Sequence, residues 1–252
     1  EALEDFLKNG DFTGLNVTIP YKKDVIPFLD ELSDRAKRLG AVNTIVRKPD
    51  GRLIGHNTDY FGFETMLADS GIDMQGKKAL VCGSGGASNT AVAVLREHGA
   101  HVVILSRSGP DNYQNLERHT DAALIVNATP VGMYPDVDGA AIEDLSRFPK
   151  LEGVLDLIYN PARTKILLAA EKQGLKTENG LKMLVAQAKE SAEWFTGAKI
   201  DDGVIGTIYS SLRAQMENVI LIGMPGCGKT TVGTILSGIL GKKFLDADTE
   251  LE

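Results

Sequence analysis

KKALVCGSGGASNTAVAVLREHGAHVVILSRS, residues 77–108, is the stretch that decides the fold class. It opens with a short apolar run into glycines. Residues 87–99 then place apolar side chains at helical spacing and stop at Gly99, and residues 101–108 are a second run rich in β-branched residues. A strand, a crossover helix and a second strand in that order make a βαβ unit, and a parallel sheet follows from it.

The pattern extends outward in both directions. DAALIVNATPVGM (121–133) and LEGVLDLIYNP (151–161) are further apolar runs ending in polar or turn residues, as buried parallel strands do, and RTKILLAAEKQG (163–174) reads as a helix. Upstream, TGLNVTIPYKK (13–23) reads as a strand stopped by Pro20. AVNTIVRKPDGRLIGHNTD (41–59) reads as a hairpin turning at Pro49, Asp50 and Gly51. Downstream, GLKMLVAQAKESAEWFTG (180–197) is an amphipathic helix with Leu181, Leu184, Val185, Ala188 and Ala192 on one stripe.

Composition narrows the function classes. The 252 residues are 43% hydrophobic and 24% charged, enough for one large or two modest globular domains. A formal net charge of -7 argues against a nucleic-acid or anionic-membrane surface, so the expected partners are small molecules. Cys82 and Cys227 sit far apart in unrelated contexts, which suggests neither a disulfide framework nor a cysteine metal site and fits a reducing cytoplasm. No apolar run reaches the ~20 residues of a membrane span, and no signal-peptide pattern opens the chain. The chain starts at Glu1 inside a helical pattern, EALEDFLKNG, and reads as truncated at both ends.

GSGGAS, residues 83–88, follows a strand and opens a helix, the context of a dinucleotide fingerprint. Gly83 permits the tight turn and Gly85 lets a pyrophosphate approach the backbone. Free N–H groups at the helix start receive its charge. The third position is Ser88 instead of glycine or alanine, so the motif has a bland alternative as a strand–helix turn without a ligand. A site preferring NAD places an Asp or Glu at the end of the second strand for the ribose 2′-hydroxyl. Here that end is Ser106, Arg107 and Ser108, a cation between two hydroxyls suited to a 2′-phosphate, and NADP is favoured.

Three polar groups fall at strand ends: Asn16, Thr18 and Lys22; Asn43 and Thr44; Asn57, Thr58 and Asp59. In α/β proteins such ends face the ligand crevice. Singly, each is explained as a turn former or cap, and Thr58 or Asp59 as the N-cap of the helix over residues 60–71. Together they offer hydroxyl-recognising donors and acceptors with one cation and one carboxylate.

NVTIPYK, AVNT, GHNTD, GSGGAS, NATPVGM, DLIYNP and GLKMLVAQA, in this order and spacing, resemble the shikimate dehydrogenase family over residues 1 to about 215. The resemblance implies an α/β fold of two domains: a substrate domain of residues 1–58 and 184–216, and a Rossmann NADP-binding domain of residues 59–183. It implies NADPH-dependent, reversible reduction of 3-dehydroshikimate to shikimate, in aromatic amino acid biosynthesis. Lys22 and Asp59 correspond to the catalytic pair, with the proton donor between them open. Thr18, Asn43, Asp59, Tyr159 and Gln187 correspond to substrate contacts. Gly83, Ser84, Gly85, Gly86, Ala87, Ser106, Arg107, Ser108, Asn127, Thr129, Met133, Gly180 and Met183 correspond to cofactor contacts. Two positions depart from the family's NADP pattern: Asn89 and Asp111 stand where arginines are common, and Asp111 would repel a 2′-phosphate. A quinate/shikimate dehydrogenase using NAD is therefore the nearest alternative. A catalytically dead nucleotide-binding fragment is a further one, because the family's substrate-carboxylate serines do not precede Glu1.

The tail restarts a strand–loop–helix pattern. NVILIGMPGCGKTTVG, residues 218–233, satisfies the phosphate-loop pattern, with NVILI as a strand and residues 230–241 as a helix. With FLDAD (244–248) behind it, the tail resembles the beginning of shikimate kinase. That resemblance implies ATP binding by Gly226, Gly228, Lys229, Thr230 and Thr231, Mg²⁺ near Thr230 and Asp246, and Asp248 toward shikimate. The expectation for residues 217–252 is the incomplete start of a P-loop kinase domain fused to the dehydrogenase and inactive by itself. An ATP-dependent shikimate kinase is the reading that the tail alone would suggest.

Overall fold

The computed structural model describes residues 2–250, with the side chains of Asp248 and Glu250 outside the described set. Two compact units divide it, residues 1–212 and residues 213–252.

The first unit holds two sheets. The smaller contains β1 (Gly14–Asn16), β2 (Glu31–Leu32), β3 (Thr44–Arg47) and β4 (Leu53–His56) in the order β1-β3-β4-β2. β3 pairs antiparallel with both β1 and β4. The hairpin turn falls where the sequence places it: Gly51 lies at φ +90° and its N–H donates to the Lys48 carbonyl at 2.8 Å. Helices α1 (Ala2–Asn9) and α2 (Asp34–Leu39) accompany this sheet. Ser33 caps α2 by accepting from the Ala36 N–H at 3.3 Å, a polar start invisible to an apolar-pattern reading. Leu7, Val25, Ala36, Val42, Ile45 and Leu53 form its core.

The larger sheet contains β5 (Lys78–Cys82), β6 (His101–Leu105), β7 (Leu124–Asn127), β8 (Gly153–Asp156) and β9 (Lys176–Asn179). All of its pairs are parallel, in the order β6-β5-β7-β8-β9. Alternate residues serve opposite faces. Ala79, Val81, Val126 and Leu155 join one core with α3 (Asp59–Ser70) and α4 (Gly86–Glu97), while Leu80, Cys82, Ile125 and Val154 join a second with α5 (Lys165–Lys172). Burial on both faces is why β5, β7 and β8 read as continuous apolar runs. β9, KTEN, escapes that signal because it is an edge strand with no buried residue. The chain reverses its winding direction between β5 and β7, and the carboxyl ends of these two strands form the switch point where α/β sheets bind ligands.

α6 (Leu181–Thr196) and α7 (Gly203–Met216) complete the first pattern. α6 carries two faces. Met183, Val185, Ala186 and Ser191 are buried, whereas Leu184, Ala188 and Ala192, expected on the core stripe, line an apolar groove of about 310 Å³ with Val204, Ile208 and Leu212 of α7. The boundary expected at 183/184 falls inside α6.

The second unit contains α8 (Lys229–Leu240) and α9 (Ala247–Glu250). Residues 218–222, expected as a strand, form none. A strand needs a neighbour to satisfy its N–H and C=O groups, and no strand exists among the described residues of this unit. Ile220 and Ile222 stay 79% and 91% exposed.

Candidate active site

The β3–β4 pairing sets Thr44 opposite His56, so the polar residues just outside each strand lie side by side. Asn43 precedes β3, and Asn57, Thr58 and Asp59 follow β4. α3 starts at Asp59, and α6 crosses α3 closely enough to add Gln187 and Ser191. The crossing depends on Gly62, where a Cβ would meet the Met183 carbonyl oxygen at 2.6 Å and the Gln187 Cβ at 3.1 Å.

Asn43, 3% exposed, is the hub. Its Nδ2 donates to Asp59 Oδ1 and Thr58 Oγ1, each at 3.0 Å, and to Gln187 Oε1 at 3.4 Å. Its Oδ1 accepts from the Thr58 N–H at 2.8 Å and the Thr44 hydroxyl at 3.1 Å. The Ser191 hydroxyl lies 2.8 Å from Thr44 Oγ1 and 3.0 Å from Thr58 Oγ1. Thr58 occupies the N-cap position of α3 but makes no side-chain cap bond, so the bland cap reading does not apply to its hydroxyl. Asp59 presents its other oxygen, Oδ2, to Lys22 Nζ at 2.6 Å, and both side chains keep some solvent access, 12% and 23%. The backbone fixes the lysine as well: the Val42 N–H donates to the Lys22 carbonyl at 2.8 Å.

Lys22, Asn43, Asp59 and Gln187 are thus brought together. Thr18 and Tyr159 are exposed, and among the described residues neither side chain hydrogen-bonds to this group. Thr18 shares the Lys22 loop through its carbonyl, which accepts from the Tyr21 N–H at 2.9 Å. Ser191 was not singled out by sequence reading. Its signal was present: a hydroxyl one helical turn beyond Gln187 on an otherwise apolar face.

Behind the hub, His56 stacks on Trp194 with ring centroids 3.6 Å apart and neither ring nitrogen partnered. Burial, helped by Lys48, pushes its pKa down to about 4. Among the described residues no cluster of three His, Cys, Asp or Glu could hold a metal.

At the switch point, Gly83 adopts φ +103° with its α-hydrogen side against Ala128 and Thr129, where a side chain would be strained. Ser88, buried at the third motif position, donates its hydroxyl to the Gly83 carbonyl at 2.7 Å and so braces the turn from inside. Ser84, Gly85 and Gly86 are exposed, a Cβ on either glycine would meet nothing within 4 Å, and no side chain caps α4. The first N–H groups of a twelve-residue helix therefore face open space, a cradle for a diphosphate. Ala87 follows in the first turn, and Ser106, Arg107 and Ser108 stand at the end of the adjacent β6, with Arg107 exposed. These residues fit a dinucleotide.

Asn127 behaves differently from expectation. Its side chain is fully buried, donates to Asp156 Oδ1 at 3.0 Å and to the Val131 carbonyl at 3.3 Å, and accepts from the Thr129 N–H and hydroxyl at 3.1 and 2.7 Å. It shapes the loop instead of facing the cleft. Asp156, with its carboxyl pushed up by burial, also accepts from the Thr164 hydroxyl at 2.5 Å. The loop so built presents Met133, 46% exposed, while Gly180 caps α6 beside Leu157 and Met183 is 9% exposed.

In the second unit, Gly226 and Gly228 adopt φ +74° and +87°, and Lys229 Nζ donates to the Gly223 and Met224 carbonyls at 2.9 Å each. The Thr230 hydroxyl donates to Asp246 Oδ2 at 3.0 Å, and Thr231 is exposed. The side chain of Asp248 lies outside the described residues.

Residues 1–45 match the family model of the shikimate dehydrogenase substrate binding domain, and residues 225–252 match that of shikimate kinase. A shikimate dehydrogenase (NADP(+)) of Clostridium perfringens is 38% identical over 216 residues, which cover 80% of this chain and 79% of that protein. Among solved structures, shikimate dehydrogenase 1 of Peptoclostridium difficile is 38% identical with a TM-score of 0.76, covering 86% of this chain and 83% of the other. A Thermus thermophilus shikimate 5-dehydrogenase solved with NADP(H) and shikimate is 34% identical with a TM-score of 0.71, covering 83% and 82%.

Proposed function

The chain belongs to the shikimate dehydrogenase family, and from that premise we propose that it interconverts shikimate and 3-dehydroshikimate with NADP, using Lys22 and Asp59 as its catalytic pair. The observation that carries the assignment is the 2.6 Å contact between Lys22 Nζ and Asp59 Oδ2 on the Asn43 hub. Residues 1–58 and 184–216 serve the substrate and residues 59–183 the dinucleotide.

The loop of residues 83–87 would hold the diphosphate of NADPH and Ser106, Arg107 and Ser108 its 2′-phosphate, and the cofactor would supply the hydride for the ring ketone. Thr129, Met133, Gly180 and Met183 would border the nicotinamide end. Reduction turns the carbonyl oxygen into an alkoxide, which needs a proton. Lys22 is the group with protons to give, whereas Asp59 has one oxygen taken by Lys22 and the other by Asn43. We therefore assign the transfer to Lys22 Nζ, with Asp59 orienting the ammonium through its hydrogen bond. In the oxidative direction the neutral amine takes the hydroxyl proton back. Asn43, Gln187, Thr18 and Tyr159 hold the substrate's oxygens.

Shikimate-dependent NADPH formation tests the reading. Lys22→Met is expected to lower kcat by about 10² to 10⁴ with a smaller change in KM, and a variant retaining a tenth of the parent rate would overturn the assignment. Initial rates with NADP or NAD and with shikimate or quinate separate the quinate/NAD alternative.

For residues 217–252 the proposal is ancestry and phosphate binding: the region belongs with a shikimate kinase fused to the dehydrogenase. Lys229, Thr230 and Thr231, with Gly226 and Gly228, would hold ATP, and Thr230 with Asp246 would stand near Mg²⁺, only as part of a larger kinase unit. The location proposed is the cytoplasm, supported by two unpaired cysteines, Cys82 and Cys227. No described helix is long and apolar enough to cross a membrane.

A further inference from the structure

Arg107 is exposed and makes no ion pair among the described residues. The loop after it doubles back, because the Ser106 N–H donates to the Asp111 carbonyl at 3.2 Å. An acidic residue is thereby brought back to Ser106 at the end of β6, next in sequence to Arg107, the cation suited to a 2′-phosphate. A mobile carboxylate at that position would pair with Arg107 or repel the phosphate.

The structure shows where that carboxylate goes. Asp111 Oδ1 lies 2.9 Å from His119 Nε2, and the imidazole is 9% exposed. His119 Nδ1 is buried without a partner, so Asp111 is the only hydrogen-bond partner of the ring among the described residues. A proton on Nε2 fits this contact, since it then donates to the Asp111 carboxylate. The ring is also anchored through its backbone: His119 ends the 3-10 turn Leu116–His119, and its carbonyl accepts from the Ala122 N–H at 3.0 Å.

We propose that His119 is a positioning residue for cofactor specificity: it holds the Asp111 carboxylate away from Arg107 and leaves the guanidinium available to the 2′-phosphate. The inference rests on the NADP reading above. It also explains how the chain carries Asp111 in a phosphate site, since the aspartate is parked on a buried histidine.

The test is calorimetric titration of the full chain with adenosine 2′,5′-bisphosphate and with adenosine 5′-monophosphate. His119→Ala should weaken the bisphosphate about tenfold and the monophosphate less than threefold. Asp111→Asn should change bisphosphate affinity less than threefold, and Asp111→Ala combined with His119→Ala should restore it to within threefold of the parent. A His119→Ala loss below threefold overturns the proposal. So does a loss that persists in the Asp111→Ala background, since that is what a merely structural histidine would give. Should His119→Ala fail to fold, Asp111→Asn decides: tightening of more than threefold means that Asp111 already opposes the phosphate. A parent chain that binds both nucleotides equally refutes the NADP reading itself, a result distinct from these.

Discussion

Asn43→Asp replaces a donor with a carboxylate oxygen at the centre of the site. The amide Nδ2 lies 3.0 Å from Asp59 Oδ1, so two like charges would stand 3.0 Å apart at a position 3% exposed. With an effective dielectric constant of about 20, their repulsion is about 5.5 kcal/mol. That is about four powers of ten in a protonation equilibrium, so one of the two carboxyls keeps its proton well above the ordinary carboxylate range of about pH 4. The folded variant then binds one proton more than the unfolded chain over that interval. Its stability is greatest in acid and falls as pH rises, whereas the parent has no such carboxyl pair. Urea unfolding at pH 5.5 and pH 8 should show the variant losing at least about 2 kcal/mol relative to the parent across this range. At pH 8 kcat/KM should be at least a hundredfold lower, because Lys22 then faces a protonated or displaced Asp59. A variant with parent-like stability at both pH values would refute the placement of Asn43 against Asp59.

Three further outcomes follow from the same geometry. His56, with its pKa pushed down to about 4 from an unfolded value of 6.5, stays neutral in the fold, so stability is complete above pH 6.5 and declines as pH falls toward 4, by at most about 3 kcal/mol. His56→Phe, which can keep the stack on Trp194, should flatten that decline in melts between pH 7.5 and 5; an unchanged slope would count against it. Ser191→Ala should cost about 1 kcal/mol and lower kcat/KM several-fold, with Ser191→Thr closer to the parent, because Thr44 and Thr58 lose a shared partner. Gly62→Ala should cost about 1–3 kcal/mol and raise the KM for shikimate, since its new methyl must push α6, and Gln187 with it, off α3.

The parts of the fold most legible in the sequence were those buried on both sides. β5, β7 and β8 advertise themselves because every residue from Ala79 to Cys82, and from Leu124 to Asn127, is buried. The strand β9 was invisible for the opposite reason: Lys176, Thr177, Glu178 and Asn179 lie at an edge where polar side chains reach water. The helix α2 hid because it is six residues long, with only Ala36 buried. In the tail, NVILI has the composition of a strand, but pairing is a property of neighbours, and the described residues supply none. The Lys22, Asn43 and Asp59 group was visible as polar residues at strand ends. Ser191 and His119 were not: Ser191 meets Thr44 across 147 positions, and His119, though only eight from Asp111, reaches it through a loop whose folding no sequence pattern marks.

One sequence signal, a polar residue at the carboxyl end of a strand, has two physical outcomes in this molecule, and the difference explains why such residues are poor predictors of ligand contact. After β4, the strand runs directly into a helix whose first residue, Asp59, keeps 12% of its side chain accessible, and its charge meets a lysine with access to the same space. At the end of β7, Asn127 donates to Asp156, its register partner at the end of β8, and the Thr164 hydroxyl donates to the other oxygen of Asp156, so these hydrogen bonds turn inward. The inward network orders the backbone of residues 128–133 and leaves Met133 exposed on its far side. A carboxylate needs a cation and water to stay charged and reactive. Asp59 has a lysine partner and solvent access, while among the described residues Asp156 has no ion pair, is fully buried, and has its carboxyl pushed up by that burial, as fits a structural acceptor. The same signal thus leaves a solvent-accessible ion pair after β4 and a buried, loop-shaping network at the end of β7.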